Sequence, residues 1–129
     1  MDTSLIVIIL LGTAFVLFYL NKVKNSKNMI PPQKFKELLK EQSGTIIDVR
    51  TKDEYRNGHL KKADYNFDLM SGEFEQKIKS LDKKRSYYLY CRSGNRSGQA
   101  AGIMKKNGFK NVYNVGGLQQ LVNAGFEKQ

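Results

Sequence analysis

The stretch SYYLYCRSGNRSGQAAGIMKK, residues 86–106, indicates how this chain folds. Its first five residues form a short run rich in aromatic side chains, typical of a buried strand, and the run leads directly into Cys91. Residues 97–104 are mostly small, and they predict a helix that ends at Gly108. Between strand and helix lies Gly94, which permits the positive φ that a tight turn can require. The segment therefore predicts a strand–turn–helix unit with Cys91 at the carboxyl end of the strand.

The same alternation extends over the rest of the chain from residue 29 onward. Four further helices are predicted: one around Phe35–Leu39, one that follows a Thr51–Glu54 capping box and ends at Gly58, one over 74–81 and one over 118–122. Two further strands are predicted over 45–49 and 112–115. Alternating strands and helices imply an α/β fold, with a small, mostly parallel sheet flanked by helices on both faces. In such sheets ligands bind beyond the carboxyl ends of the strands, which is where Cys91 lies.

The first residues form a separate, apolar segment. Residues 3–20, TSLIVIILLGTAFVLFYL, contain no charged side chain in 18 positions. As a helix they would extend about 27 Å, close to the ~30 Å thickness of a bilayer core. A cleaved signal peptide would have a basic start and a small-residue cleavage site, and a helix in the core of a soluble domain would have a polar face. This segment has none of these three features. We therefore expect residues 1–28 to form a transmembrane anchor and linker, and residues 29–129 to form the α/β domain.

The orientation of this anchor is predicted by the charges that flank it. Lys22, Lys24 and Lys27 follow the apolar segment, and no Lys or Arg precedes it. The excess of positive charge on cytoplasmic flanks then predicts a single-pass membrane protein whose domain faces the cytoplasm. A free thiol is compatible with that reducing compartment.

Composition limits the classes of partner and cofactor. The net charge is +10, but the lysines alternate with acids and apolar residues and form no basic–aromatic stripe. A solvated lysine-rich face beside anionic lipid explains this pattern, and no nucleic-acid partner is expected. The chain has 1 cysteine and 1 histidine, so it forms no internal disulfide and no multi-cysteine metal site. We expect neither a metal nor another cofactor.

The loop after Cys91 is a candidate reactive site. Backbone N–H groups, a helix N-terminus and the guanidinium groups of Arg92 and Arg96 would all stabilise a thiolate over a thiol. The same groups would hold an anionic substrate, or an anion carried on the sulfur. The alternative is an inert, buried cysteine, which is a common role for a free thiol. The two arginines, a glycine and two hydroxyls around Cys91 favour the reactive interpretation.

Residues 30–126 resemble a single rhodanese (sulfurtransferase) domain. The resemblance depends on two motifs, DVRTKDEYRNGHLKKA at 48–63 and CRSGNRS at 91–97, and on a weaker third, GGLQQLVNAGF at 116–126. It implies that Cys91 takes a sulfane sulfur from a small anionic donor such as thiosulfate, or from a persulfide donor, and itself becomes a persulfide. The sulfur then passes to a thiol, to cyanide or to a protein acceptor.

The resemblance also implies roles for the other residues of the two motifs. The anion-binding loop would consist of Arg92, Ser93, Gly94, Asn95 and Arg96. Three residues of the first motif, Asp48, Arg50 and His59, would hold the fold near the site. A general-base role for His59 is less favoured, because backbone amides already activate the thiolate.

Two other functions remain open from the sequence. Cysteine-dependent phosphatases and arsenate reductases also hold an oxyanion over a thiolate, but their loop between Cys and Arg is one residue longer than the four residues present here. The second alternative is not an enzyme: the chain could be a binding module at the membrane that is non-catalytic or that only accepts a persulfide sulfur. Retention of Cys91 with both arginines favours the transferase.

Overall fold

The computed structural model describes residues 2–129, and for residues 22–27 it describes the backbone only. The helices are α1 Thr3–Lys27, α2 Pro32–Glu41, α3 Lys52–Arg56, α4 Glu73–Lys77 with a 3-10 turn at Ile78–Ser80, α5 Asn95–Lys106 and α6 Leu118–Asn123. The strands are β1 Thr45–Asp48, β2 Tyr65–Asn66, β3 Ser86–Cys91 and β4 Asn111–Gly117.

The four strands form one parallel sheet in the order β2-β1-β3-β4. This arrangement confirms the predicted α/β class. The edge strand β2 was not predicted, because two residues are too few to show any periodicity. The pairing of β3 with β4 shifts register after Leu89, so that Leu89 pairs with Asn114 and Tyr90 pairs with Gly116. The extra residue, Val115, forms a bulge beside the carboxyl end of β3.

Alternate residues of β3 face opposite sides of the sheet and pack into two separate cores. On one face Tyr87, Leu89 and Cys91 pack in a cluster that includes residues of α4 and α5. On the other face Tyr88 and Tyr90 pack in a cluster with residues of α2 and α6. Helices therefore cover both faces of the sheet, as predicted, and the sulfur of Cys91 belongs to the α5 face.

Residues 3–21 of α1 are exposed, and they form a helix that is long and apolar enough to cross a membrane. A signal sequence near an N-terminus has the same length and composition. The helix continues to Lys27, whereas the sequence analysis expected a linker from residue 21. Residues 21–27 contain neither Gly nor Pro to interrupt the backbone hydrogen bonds, and Pro31 follows only after the helix ends. The structure does not describe the side chains of Lys22, Lys24 and Lys27. The orientation of the helix in a membrane therefore stays a prediction.

Candidate active site

Cys91 is the last residue of β3, and its side chain is fully buried beneath the loop that follows it. The backbone N–H of Gly94 donates to Cys91 Sγ at 3.0 Å, and Ser97 Oγ lies 3.4 Å from the same sulfur. Residue 94 is the N-cap of α5, so the sulfur lies at the N-terminal end of a twelve-residue helix. Donors and helix dipole both stabilise negative charge on the sulfur.

Two glycines allow the loop to pack this closely. Gly94 has φ +94°, and a Cβ added to it would lie 2.6 Å from Met29 Sδ. A Cβ on Gly117 would lie 2.4 Å from the carbonyl oxygen of Arg92. The segment before α2 and the end of β4 therefore form two walls of the cysteine loop, and side chains at either glycine would displace it.

The two arginines of the loop have different environments. Arg92 and its neighbour Ser93 are exposed, and among the described residues Arg92 forms no ion pair. Arg96 is only 19% exposed and forms two hydrogen bonds to Glu54, from Nη1 at 2.7 Å and from Nη2 at 2.9 Å. The sequence analysis expected the guanidinium groups of both arginines to serve the anion-binding loop. The structure differs because Glu54 of α3 lies within reach of Arg96.

The pairing of Arg96 with Glu54 affects the ionisation of both groups. The hydrogen bonds from Arg96 lower the pKa of Glu54 to about 2, from an ordinary value of 4.5, and the same bonds raise the pKa of Arg96. Glu54 also belongs to the predicted capping box, in which Thr51 Oγ1 accepts from the Glu54 N–H at 3.2 Å. The start of α3 and the start of α5 are therefore joined by one carboxylate.

Asp48 and Arg50 form a buried ion pair at the carboxyl end of β1. Arg50 Nη2 lies 2.7 Å from Asp48 Oδ2, and it also donates to the carbonyl oxygen of Gly58 at 2.7 Å. The backbone N–H of Arg50 donates to Asp48 Oδ1 at 2.9 Å. Removal of either partner would leave the other charge buried and unpaired, which is strongly destabilising. This geometry is compatible with the structural role that the family resemblance implies.

His59 lies at the end of the α3 turn and contacts the C-terminus. Its Nδ1 is 2.9 Å from the carbonyl oxygen of Tyr55, and its ring stacks on the Tyr55 ring with centroids 3.7 Å apart. Its backbone N–H and carbonyl both bond to Gln129. None of these contacts involves Cys91, and a structural role remains the prediction.

Sequence reasoning missed two residues beside the site. Glu54 was recognised only as part of a capping box, although its carboxylate pairs with Arg96. Asn114 was treated as part of an ordinary strand, but it is buried and its amide bonds to Ser97 and to Gly94. The available signal was an amide inside an otherwise apolar strand, since a buried amide requires partners. No cluster of three or more potential metal ligands occurs among the residues that the structure describes.

Comparison with protein families matches residues 31–124 to the rhodanese-like domain. The chain is 39% identical over 75 residues to a putative sulfur carrier protein, YrkF, of Bacillus subtilis, covering 58% of this chain and 39% of the relative. It is 33% identical over 96 residues to a tRNA uridine(34) hydroxylase of Pelagibacter ubique, covering 73% and 32%. With the thiosulfate sulfurtransferase PspE of Escherichia coli it shares 32% identity over 77 residues, covering 58% and 71%. The chain thus spans less than two fifths of the length of the first two relatives.

Solved structures similar to the domain include two from rhodanese-related proteins. A rhodanese-related protein from Thermoplasma volcanium superposes with a TM-score of 0.67 at 27% identity, covering 79% of this chain and 97% of that one. A rhodanese with anions from E. coli superposes with a TM-score of 0.57 at 31% identity, covering 67% and 96%. The match to the family over residues 31–124, together with these relatives, establishes that the chain belongs to the rhodanese-like domain family.

Proposed function

We propose that this protein is a membrane-anchored sulfurtransferase in which Cys91 carries the transferred sulfur as a persulfide. The observation that carries the proposal is the position of Cys91 Sγ, which lies at the N-terminal end of α5 and accepts a hydrogen bond from the backbone N–H of Gly94. The curated relatives named sulfurtransferase or sulfur carrier support a role in sulfur transfer. Other relatives are named tRNA uridine(34) hydroxylase, and this chain spans a third of their length, so the specific substrate is part of the proposal.

The reaction consists of two displacements at sulfur. The Cys91 thiolate attacks the outer sulfur of thiosulfate, the S–S bond of the donor breaks, and sulfite leaves with the bonding electron pair. The terminal sulfur of the resulting persulfide carries the negative charge. A thiolate or cyanide then attacks that sulfur, and the Cys91 thiolate leaves. No electron donor or acceptor from outside is required, because the sulfane sulfur retains its oxidation state.

The proposed capture of the donor depends on Arg92. Arg92 is an exposed residue of the loop that follows Cys91, whereas the charge of Arg96 is already paired with Glu54. A guanidinium binds sulfonate-like oxygens through charge-assisted hydrogen bonds. Because Cys91 is fully buried, we expect the cysteine loop to shift before the outer sulfur of the donor reaches Sγ.

The test is the intact mass of the purified full chain before and after incubation with thiosulfate. We expect the mass of one added sulfur on the wild-type protein, and its loss when cyanide is added, with thiocyanate as the product. Cys91→Ser should remain unmodified, because a hydroxyl is far less acidic and does not carry a sulfane sulfur. Modification of Cys91→Ser, or Cys91-dependent hydrolysis of p-nitrophenyl phosphate without sulfur transfer, would contradict the proposal.

The domain organisation is part of the same proposal. Residues 1–28 serve as the anchor, with the span at about 3–20, and residues 29–129 form the catalytic domain in the cytoplasm. Support comes from the exposed apolar surface of α1, which no part of the described domain covers. A protein acceptor at the membrane surface would then meet the domain directly. The proposed acceptor is a small thiol, cyanide or the thiol of a partner protein.

A further inference from the structure

Ser97 and Asn114 form a hydrogen-bonded pair next to the proposed nucleophile. Ser97 lies on the first turn of α5 and is fully buried, and Asn114 of β4 is 2% exposed. Ser97 Oγ is 2.7 Å from Asn114 Oδ1 and 3.4 Å from Cys91 Sγ. One hydroxyl group therefore lies between the sulfur and the amide, within reach of both.

The orientation of the Asn114 amide follows from its backbone partners. The N–H of Gly116 donates to Oδ1 at 3.1 Å, and Nδ2 donates to the carbonyl oxygen of Gly94 at 2.8 Å. Because a backbone N–H only donates and a backbone carbonyl only accepts, a flipped amide would lose both bonds. Oδ1 therefore faces Ser97. Since an amide oxygen only accepts, the Ser97 hydroxyl is the donor in that bond.

The position of Asn114 is a consequence of the bulge in β4. Leu89 pairs with Asn114, but Tyr90 pairs with Gly116, so the bulge falls immediately after Asn114. The backbone carbonyl of Asn114 also accepts from the N–H of Ile30 at 2.9 Å, which holds this residue from the other side. The residue is thus held under the loop through its side chain, which bonds to Ser97, Gly94 and Gly116, and through its backbone, which bonds to Ile30.

A serine hydroxyl has a single proton to donate. While that proton points at Asn114, Ser97 Oγ presents a lone pair to the sulfur, and this suits a thiol, whose S–H can donate. A thiolate needs a donor in the same place. We propose that Ser97 is a positioning residue whose hydroxyl donates to Asn114 when Cys91 is a thiol or a persulfide, and turns to donate to the sulfur when Cys91 is a thiolate.

This alternation would act in both halves of the proposed reaction. The thiolate is the attacking group when the donor is bound and the leaving group when the acceptor removes the sulfur. The Ser97 hydroxyl would donate a hydrogen bond to the thiolate in both steps and so stabilise it. When the charge moves to the outer sulfur of the persulfide, the hydroxyl would again donate its hydrogen bond to Asn114 Oδ1. The inference rests on Cys91 as the proposed nucleophile and does not depend on which sulfur compound is the donor.

Other charges around the sulfur remain unchanged when Ser97 is altered. They come from the loop, from α5 with α3, and from the end of β1: Arg92, Arg96 with Glu54, and the Asp48–Arg50 pair. The described residues of β4 contribute no charged side chain on this side. A change in thiolate formation in a Ser97 variant therefore reports on the hydroxyl.

The test is a pH titration of Cys91 in the full chain, followed by the ultraviolet absorbance of the thiolate. The chain contains 1 cysteine, so the signal after subtraction of Cys91→Ser belongs to Cys91 alone. In Ser97→Ala we expect the midpoint of thiolate formation to rise by about one pH unit, a tenfold loss of thiolate below the midpoint. Ser97→Thr keeps the hydroxyl and should restore the wild-type midpoint.

The matched control is Ser86→Ala. Ser86 lies at the other end of β3, is also buried, and also donates to a side-chain amide, Gln42 Oε1 at 3.0 Å. Its removal should leave the midpoint unchanged. Ser97→Val gives a second reading if Ser97→Ala does not fold, because Val has the size of Thr without the hydroxyl and should have a higher midpoint than Ser97→Thr. Wild-type midpoints in the folded Ser97→Ala and Ser97→Val variants would overturn the inference, whereas the expected midpoint shifts in a protein that does not transfer sulfur would overturn only the proposed function.

Discussion

Arg92 and Arg96 are four positions apart in the same loop, and they are expected to respond differently to mutation. Arg92 is exposed, whereas Arg96 is bonded twice to Glu54. Arg92→Ala should raise KM for thiosulfate about ten- to hundredfold with nearly unchanged kcat, the loss expected for a charge-assisted hydrogen bond made equally in ground and transition states. Steady-state kinetics over a range of thiosulfate concentrations measures this split.

Arg96→Ala should mainly reduce stability, because it leaves the Glu54 carboxylate without its partner. We expect a lower urea midpoint than for Arg92→Ala, which removes an exposed side chain. Arg56→Ala is the control, since Arg56 is an exposed arginine whose ion pair with Asp53 lies on the surface, and it should change neither KM nor stability. Equal KM effects of Arg92→Ala and Arg96→Ala, without a stability difference, would contradict this assignment.

At the residue level, the local sequence predicts which residues form the site better than it predicts the partners that their side chains contact. The motif around Cys91 indicates a thiol at a turn, and the structure has its sulfur bonded to Gly94. The partner of Arg96 was not predictable, because Glu54 is 42 positions away and only the packing of α3 on the loop brings the two together. Asn114 is a similar case, since its role depends on a bulge that the strand pattern does not reveal.

At the level of elements, the Glu54–Arg96 pair joins α3 to α5 and should make stability depend on pH. The pKa of Glu54 is about 2 in the folded protein and 4.5 ordinarily. The folded state therefore binds the Glu54 proton less well than the unfolded state does. The contribution of the Glu54–Arg96 pair to the free energy of unfolding is thus complete above pH ~4.5 and is lost as the pH falls toward 2. Urea denaturation at several pH values between these limits should show wild-type stability decreasing through this window.

Glu54→Gln is the informative variant for this dependence. Gln at this position retains the capping box with Thr51 but removes the negative charge. We expect it to be less stable than the wild type at neutral pH and to approach the wild type as the pH is lowered. Asp53→Asn, at an exposed pair on the same helix, should run parallel to the wild type. A constant difference between wild type and Glu54→Gln at all pH values would exclude the pair as the source.

The start of α5 should tolerate no side chain at Gly94. Its φ is +94°, and a Cβ would meet Met29 Sδ at 2.6 Å, so Gly94→Ala combines backbone strain with a steric clash. We expect a loss of more than about 1 kcal/mol of unfolding free energy, together with loss of sulfur loading on Cys91. Gly102→Ala on the same helix meets nothing within 4 Å and should stabilise by about 0.5–1 kcal/mol. Equal denaturation midpoints for the two variants would be contrary evidence.

Most helices and strands were predictable because their apolar patterns are local. The capping box of α3, the apolar spacing of α2 and the buried run of β3 each identify an element without reference to the rest of the fold. Two features were not predictable. The strand β2 has two residues and exists only because β1 offers an edge, and α1 extends past its apolar part because no residue interrupts it.

At the scale of the whole molecule, α1 presents an exposed apolar surface that the described α/β domain does not cover. The described side chains of α1 belong to neither of the two buried clusters on the faces of the sheet. The positive net charge of the chain is compatible with a domain held close to anionic lipid. In the proposed function, α1 serves as the anchor and the α/β domain as the sulfurtransferase.

This separation leads to a prediction about topology. In cells that express the full chain, Asp2→Cys and Ser71→Cys, each in a Cys91→Ser background, put a single exposed thiol on either side of the proposed span. A membrane-impermeant maleimide should label Asp2→Cys in intact cells and Ser71→Cys only after permeabilisation, because positive charge after the span keeps the domain in the cytoplasm. The intact mass of the purified protein should include residues 1–20. Labelling of Ser71→Cys from outside would reverse the orientation, and a mature protein that begins after residue 20 would identify the helix as a cleaved signal sequence.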